Sequence, residues 1–183
     1  EIASCLVGSE MCIRDRVLMM SAVPVSEARP SVGAPFKIQL FDAPLGAELL
    51  GLDLTLPLDD SDFSRVHQAH LDHHLLVFRD QKITPAQQIE FSRRFGALQI
   101  HVLHQFQLAD HPEILIISNI KENGEPIGLG DAGHIWHSDL SYVEVPSLGS
   151  MLHAQELPAE GGDTLFANMH LAWDTLDVHP VSY

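Results

Sequence analysis

His137 and Asp139, one residue apart in the run Gly133-His134-Ile135-Trp136-His137-Ser138-Asp139-Leu140-Ser141-Tyr142, constrain this chain more than any other feature. On extended backbone, side chains alternate between faces, so His137 and Asp139 point one way while Trp136, Ser138 and Leu140 point the other. An imidazole nitrogen and a carboxylate oxygen then converge, a pairing that suits a divalent first-row metal. A second histidine from elsewhere would complete the 2-His-1-carboxylate facial triad of non-haem Fe(II) oxygenases, leaving positions open for chemistry. The same tripeptide also fits a strand-end histidine beside a solvated aspartate, so the motif needs its surroundings.

Those surroundings hold several further motifs in register. Trp136 to Tyr142 is followed by Pro146-Ser147-Leu148-Gly149-Ser150-Met151-Leu152-His153-Ala154 and by Gly161-Gly162-Asp163-Thr164-Leu165-Phe166. Upstream stand Leu75-Leu76-Val77-Phe78-Arg79-Asp80-Gln81 and Phe91-Ser92-Arg93-Arg94-Phe95-Gly96-Ala97-Leu98. Over about residues 36 to 176 this order resembles the taurine dioxygenase-like (TauD/TfdA) family of Fe(II)/2-oxoglutarate-dependent oxygenases.

The resemblance implies His137 and Asp139 as iron ligands, with 2-oxoglutarate and O2 as co-substrates and succinate and CO2 as products of a hydroxylation. It implies that Thr164 hydrogen-bonds the far carboxylate of 2-oxoglutarate; on propensity alone Thr164 is an ordinary β-branched strand residue. His101 stands where taurine-oxidising members keep a histidine on the substrate sulfonate, and a nearby anion favours a protonated imidazole. Three positions later those members have tyrosine and this chain has His104, and four before His137 they have asparagine and this chain has Gly133. The implied substrate is therefore a small anionic molecule other than taurine, such as another sulfonate, a sulfate ester or a carboxylate. In the family a second iron histidine and a 2-oxoglutarate-binding arginine follow far downstream. Here only His153, His170 and His179 follow Asp139, and no Arg or Lys follows Lys121. The expectation is a fragment: the N-terminal part of one oxygenase domain over 36–183, inactive by itself.

Length and composition agree with one domain. At 183 residues and 45% hydrophobic the chain can bury a core. A formal charge of -15 excludes a nucleic-acid surface and offers nothing to an anionic membrane. The expected partner is a small molecule, with room for a homo-oligomer. Both cysteines, Cys5 and Cys12, lie outside every motif, which suits a reducing cytoplasm. Residues 1–30 read as a disordered, partly non-native leader, with the globular domain opening at Phe36. Among the histidines, His67, His70 and His74 would share a helix face, where a partly exposed face competes with a zinc or nickel site.

Local signals give the elements. Asp59-Asp60-Ser61 opens a helix to about His73, and Thr84-Pro85-Ala86-Gln87 opens a second with a capping box and proline at the first helical position. Phe36–Leu40 (half-buried), 46–52, Leu75–Phe78 and Glu113–Ile117 (both buried), Leu148–Ala154 and Thr164–Ala167 read as strands, with a polar turn at Lys121–Glu125. Asn168 caps a last helix whose Met169, Ala172, Trp173 and Leu176 form an apolar seam. Gly128, Gly130 and Gly133 read as a flexible active-site loop. The fold class is mainly β with helical additions (α+β), a distorted jelly roll; the resemblance implies the double-stranded β-helix, incomplete at its C-terminus. A non-catalytic jelly-roll binding protein with a relic metal site is the alternative. A hydrolase is not supported, since Gly-x-Ser-x-Gly and His-Glu-x-x-His are both missing.

Overall fold

The computed structural model describes residues 5–8, 14–22, 36–130 and 132–176. In chain order the elements are β1 (Cys5–Gly8), β2 (Arg14–Ala22), β3 (Lys37–Leu40), β4 (Ala47–Leu50), α1 (Asp60–His73), β5 (Leu76–Val77), α2 (Pro85–Arg93) and β6 (Gly96–Gln99). A 3-10 turn (His104–Phe106), β7 (Gln107–Leu108), β8 (His111–Ile117), β9 (Lys121–Glu122), β10 (Glu125–Pro126), β11 (Gly149–Glu156), β12 (Thr164–Ala167) and α3 (Met169–Asp174) follow. Strands dominate, with three helices among the described residues. None of the described helices is long and apolar enough to cross a membrane.

The largest sheet has β2 at its centre. It pairs antiparallel with β11 on one side and with β6 and β8 on the other, and β7 extends the sheet beyond β8. This overturns part of the sequence reading, because Cys5–Gly8 and Arg14–Ala22 fall in the leader expected to lack structure. The physical reason is that β2 carries the run Val17-Leu18-Met19-Met20 and satisfies its backbone through ladders on both sides. The rest of that leader, residues 1–4, 9–13 and 23–30, lies outside the described residues, as does Cys12. A second sheet runs β3-β4-β5, antiparallel then parallel, and β1 pairs with β12.

The helices begin where their capping residues stand. Asp59 accepts from the Asp62 amide at 2.7 Å. Thr84 and Gln87 close a reciprocal capping box, with Thr84 N donating to Gln87 Oε1 at 2.9 Å and Gln87 N to Thr84 Oγ1 at 3.3 Å. Phe63 and Val66 on α1 meet Phe91 of α2 and Phe95 in the main core, which also holds Met20, Phe36, Leu49 and Ile83. Phe63 and Phe95 pack edge-to-face at 4.9 Å. Arg94 locks the two helices, its guanidinium 4.1 Å over the Phe63 ring and bonded to Asp60 Oδ1 at 2.6 Å. Arg94 caps α2, so the helix stops before Gly96, which opens β6.

Three other expectations change. Leu75–Phe78 supplies only the two-residue β5, half-buried rather than buried. β3 is exposed throughout, with Leu40 59% accessible, and only Phe36 before it enters the core. The seam of α3 faces solvent, Trp173 being 76% exposed. Periodicity identified that helix, but among the described residues nothing buries its apolar side.

The histidines of α1 scatter. His70 packs edge-on to Phe95 and against Gly149, while His74 stacks on His170 with ring centroids 5.1 Å apart. No group of three or more potential ligands forms a metal site among the described residues. Burial pushes the pKa of His70 and His74 below the ordinary histidine value, helped by neighbouring imidazoles. The unfolded chain therefore binds protons near pH 6.5 that the folded chain refuses. Stability is expected to be full above about pH 6.5 and to decline as pH falls through the lowered folded values. Melting temperatures from pH 7.5 to 5 should show the decline and His70→Gln should flatten it; a flat parent profile would contradict the buried-imidazole account.

Candidate metal centre

Beneath the site lies a small apolar cluster, in which the buried Leu115 of β8 is surrounded by Leu103, Phe106, Ile117, Leu129 and Leu140. Leu140 immediately follows Asp139 and adopts φ 49°, a left-handed conformation that costs a non-glycine residue about 1–2 kcal/mol. Its side chain remains anchored in the cluster, which holds the turn bearing Asp139 against β8. The run through His137 and Asp139 is not the regular strand that alternation suggested. Positive φ at Gly133 (82°) and at Leu140 bends both ends, and 139–140 form a turn.

Within that bend, His137 Nε2 lies 3.3 Å from Asp139 Oδ1, and both side chains are partly buried. His137 Nδ1 lies 2.7 Å from the carbonyl oxygen of Ile135, to which it can only donate. A neutral ring so placed carries a lone pair on Nε2. That lone pair faces the carboxylate oxygen, and two such donors repel unless a positive charge lies between them. A proton or a cation would satisfy the pair. Two donors at right angles, each about 2.1 Å from an ion, sit about 3 Å apart, so the spacing fits two neighbouring ligands of one small metal. The other oxygen, Asp139 Oδ2, accepts from Ser150 Oγ at 2.5 Å.

No third His, Cys, Asp or Glu joins this pair among the described residues. His153, on β11, turns away, its Nε2 3.2 Å from the Gln81 carbonyl and its Nδ1 2.9 Å from Gln155 Nε2. His170 is engaged with His74. His179 lies outside the described residues.

His101 follows β6, close enough to Asp139 to feel its charge. Burial lowers its pKa, opposed by Asp139 and aided by His104. Its Nδ1 accepts from the Leu103 amide at 3.1 Å, so the neutral ring presents Nε2–H as a donor. Burial and the Leu103 contact both favour the neutral ring. Gln107 Nε2 braces the loop through the His101 carbonyl and His104 Nδ1, both at 2.9 Å. Gln99 ties the end of β6 to the segment after the site, donating to the Val145 carbonyl at 2.9 Å and accepting from Ser147 Oγ at 2.8 Å. Thr164 opens β12, exposed and paired across to Gly8 of β1.

Sequence reasoning missed Ser150, Leu140 and the packing of Gly128. Leu129 donates to the Ile116 carbonyl at 2.9 Å and accepts from the Ser118 amide at 3.1 Å, so the segment before the site runs parallel along the end of β8. Gly128 and Gly130 are thus pinned to β8 rather than forming a flexible loop. Of the three, only Ser150 was hinted at, by the polar Gly149-Ser150 step ahead of Met151-Leu152.

Comparison with known proteins bears on this geometry. The sequence profile described as taurine catabolism dioxygenase TauD, TfdA family matches residues 36–180. An (S)-phenoxypropionate/alpha-ketoglutarate-dioxygenase of Delftia acidovorans is 36% identical over 146 residues, 74% of this chain and 47% of that protein. Pentalenolactone F synthase of Streptomyces avermitilis is 40% identical over 72% of this chain and 44% of its own length. An alkylsulfatase of Acinetobacter baylyi is 29% identical over 72% of this chain and 39% of its own. The chain spans about half the length of the first two, and less of the third.

Proposed function

Because this chain belongs to the taurine catabolism dioxygenase TauD, TfdA family, we propose that the protein is an Fe(II)- and 2-oxoglutarate-dependent dioxygenase of the cytoplasm. It hydroxylates a small anionic organic substrate, a carboxylate, sulfate ester or sulfonate, and forms succinate and CO2. The observation that carries this reading is His137 Nε2 held 3.3 Å from Asp139 Oδ1, the spacing of two neighbouring ligands of one small metal. The described strands belong, on this reading, to a distorted jelly roll, and a third ligand comes from elsewhere in the protein. When bound, iron with 2-oxoglutarate and O2 supplies the oxidising power for C–H hydroxylation.

The residues of the chain bind and orient. His137 and Asp139 hold the metal, and Thr164 donates its hydroxyl to the far carboxylate of 2-oxoglutarate. His101 donates Nε2–H to the substrate anion. Its neighbours Ile100 and Val102 are 54% and 70% exposed, and Trp136 beside His137 is 53% exposed. An anion contact flanked by apolar surface suits a substrate with an apolar body, such as an aryl or alkyl carboxylate or sulfate, better than a bare small acid. The relatives compared are named as enzymes, and the non-catalytic alternative is not favoured.

The test is succinate formation by the intact protein with Fe(II), ascorbate and O2 over a panel of such anions. Substrate-dependent succinate is expected, and its absence across the panel would overturn the reading. His101→Ala should raise KM with little change in kcat. A hydrogen bond to a charged group contributes about 1.5–3 kcal/mol, or about 10- to 100-fold. An unchanged KM would remove His101 from the substrate contacts.

A further inference from the structure

We propose that Ser150 is the positioning residue of the metal centre, holding Asp139 Oδ2 so that Oδ1 alone is offered beside His137 Nε2; this rests on the reading of His137 and Asp139 as metal ligands. Ser150 Oγ lies 2.5 Å from Oδ2, in the range of a charge-assisted O–H···O bond. An ionised carboxylate only accepts, so the hydroxyl is the donor. Its proton occupies the oxygen that would otherwise compete for the ion.

The strand explains why this hydroxyl can set the geometry. β11 is locked to β2, with Ser150 opposite Met19 and Met151 opposite Leu18. The next residue, Met151, faces α2, where Ser92 Oγ meets its sulfur at 3.1 Å and Gln88 Nε2 reaches its carbonyl at 3.4 Å. Alternation then directs Ser150 to the opposite face, toward Asp139. One face of β11 is thus committed to the helix and the other to the site. Asp139 itself sits in a turn, where a free carboxylate could rotate and offer either oxygen or both. Fixing Oδ2 from a strand converts it into a ligand of one oxygen in one orientation, and leaves a coordination position that a bidentate carboxylate would fill.

The experiment is Co(II) binding to the intact, metal-free protein, followed by affinity and by the visible absorption of the bound ion. Ser150→Ala should weaken binding about 10- to 100-fold, the usual cost of losing such a supporting bond. Its Co(II) spectrum should also change, as the freed carboxylate alters the coordination. Ser150→Thr keeps the hydroxyl and should restore both, whereas the isosteric Ser150→Val should behave like Ser150→Ala. A purely structural role would lower the melting temperature of S150A and S150V while leaving the spectrum of bound Co(II) as in the parent, and that result overturns the proposal. So does parental affinity in S150V, even if S150A fails to fold. If the parent binds Co(II) no better than His137→Ala, the metal reading fails, and the role of Ser150 with it. Loss in H137A with parental behaviour in S150A and S150V defeats Ser150 alone.

Discussion

Asp139→Asn is expected to abolish metal binding and 2-oxoglutarate turnover while leaving the metal-free protein as stable as the parent, or more stable. In the parent, the carboxylate oxygen faces the Nε2 lone pair of a ring whose Nδ1 is committed to Ile135. The amide can resolve that conflict. Its oxygen can take the Ser150 hydroxyl and its nitrogen can turn toward His137 and donate. One repulsive contact becomes a hydrogen bond worth about 1 kcal/mol. For a metal the same change removes a formal charge and puts an N–H where a ligand lone pair stood. Losing a direct ligand should cost more than losing a supporting bond, so the fall in affinity should exceed about 100-fold. His137→Ala should match the metal loss without the full gain in stability, because it removes the conflict but forms no hydrogen bond in its place. Melting with and without added Fe(II) under anaerobic conditions reads both effects, since a ligand that binds only the folded state raises its stability. A metal-dependent rise in melting temperature that survives in D139N would show that the ion sits elsewhere.

The contrast between what the chain discloses and what only its fold discloses follows from range. The start of α2 was legible because Thr84, Pro85 and Gln87 carry it within four residues, and the capping box forms as those residue types dictate. The turn between β9 and β10 was legible for the same reason, with Asn123 and Gly124 at φ 52° and 88° taking the left-handed conformations a tight hairpin needs. β2 was not. Its worth depends on β11, β6 and β8, all distant in sequence, and the same apolar run next to arginines resembles a leader when read alone. At the site, the approach of His137 to Asp139 was legible from His-x-Asp and its flanking motifs. The Ser150 hydroxyl and the left-handed Leu140 were not, since nothing local distinguishes them until β11 and the Leu115 cluster are assembled. Histidine spacing on α1 left a partly exposed face and a metal site open: 67 and 70 lie on the helix with 74 just past its end, and the rings are taken up by Phe95 and His170.

Gly128→Ala is expected to destabilise the protein by about 2–3 kcal/mol and to weaken metal binding although the residue touches no ligand. A Cβ at this position would lie 2.8 Å from the Ile116 carbonyl oxygen and 2.9 Å from the Ser118 nitrogen. Both are backbone atoms of or beside β8 and cannot swing aside, so the segment has to lift away. Lifting it strains the two hydrogen bonds between Leu129 and β8, each contributing about 1 kcal/mol, in addition to an overpacking cost of about 1–3 kcal/mol. For a chain of this size that corresponds to a fall of about 5–10 °C in melting temperature. Gly161→Ala provides the comparison: there φ is +76° with nothing within 4 Å, so only backbone strain of about 1–2 kcal/mol applies. The effect on the metal follows from the shared cluster. Leu129 and Leu140 both pack around Leu115, and Leu140 is the residue that holds the Asp139 turn in place. Displacing Leu129 loosens that anchor, so G128A should bind Co(II) more weakly than G161A in proteins that still fold. Equal stability and equal Co(II) affinity in the two variants would show that the glycine segment is not pinned to β8, and that the turn bearing Asp139 is held by other contacts.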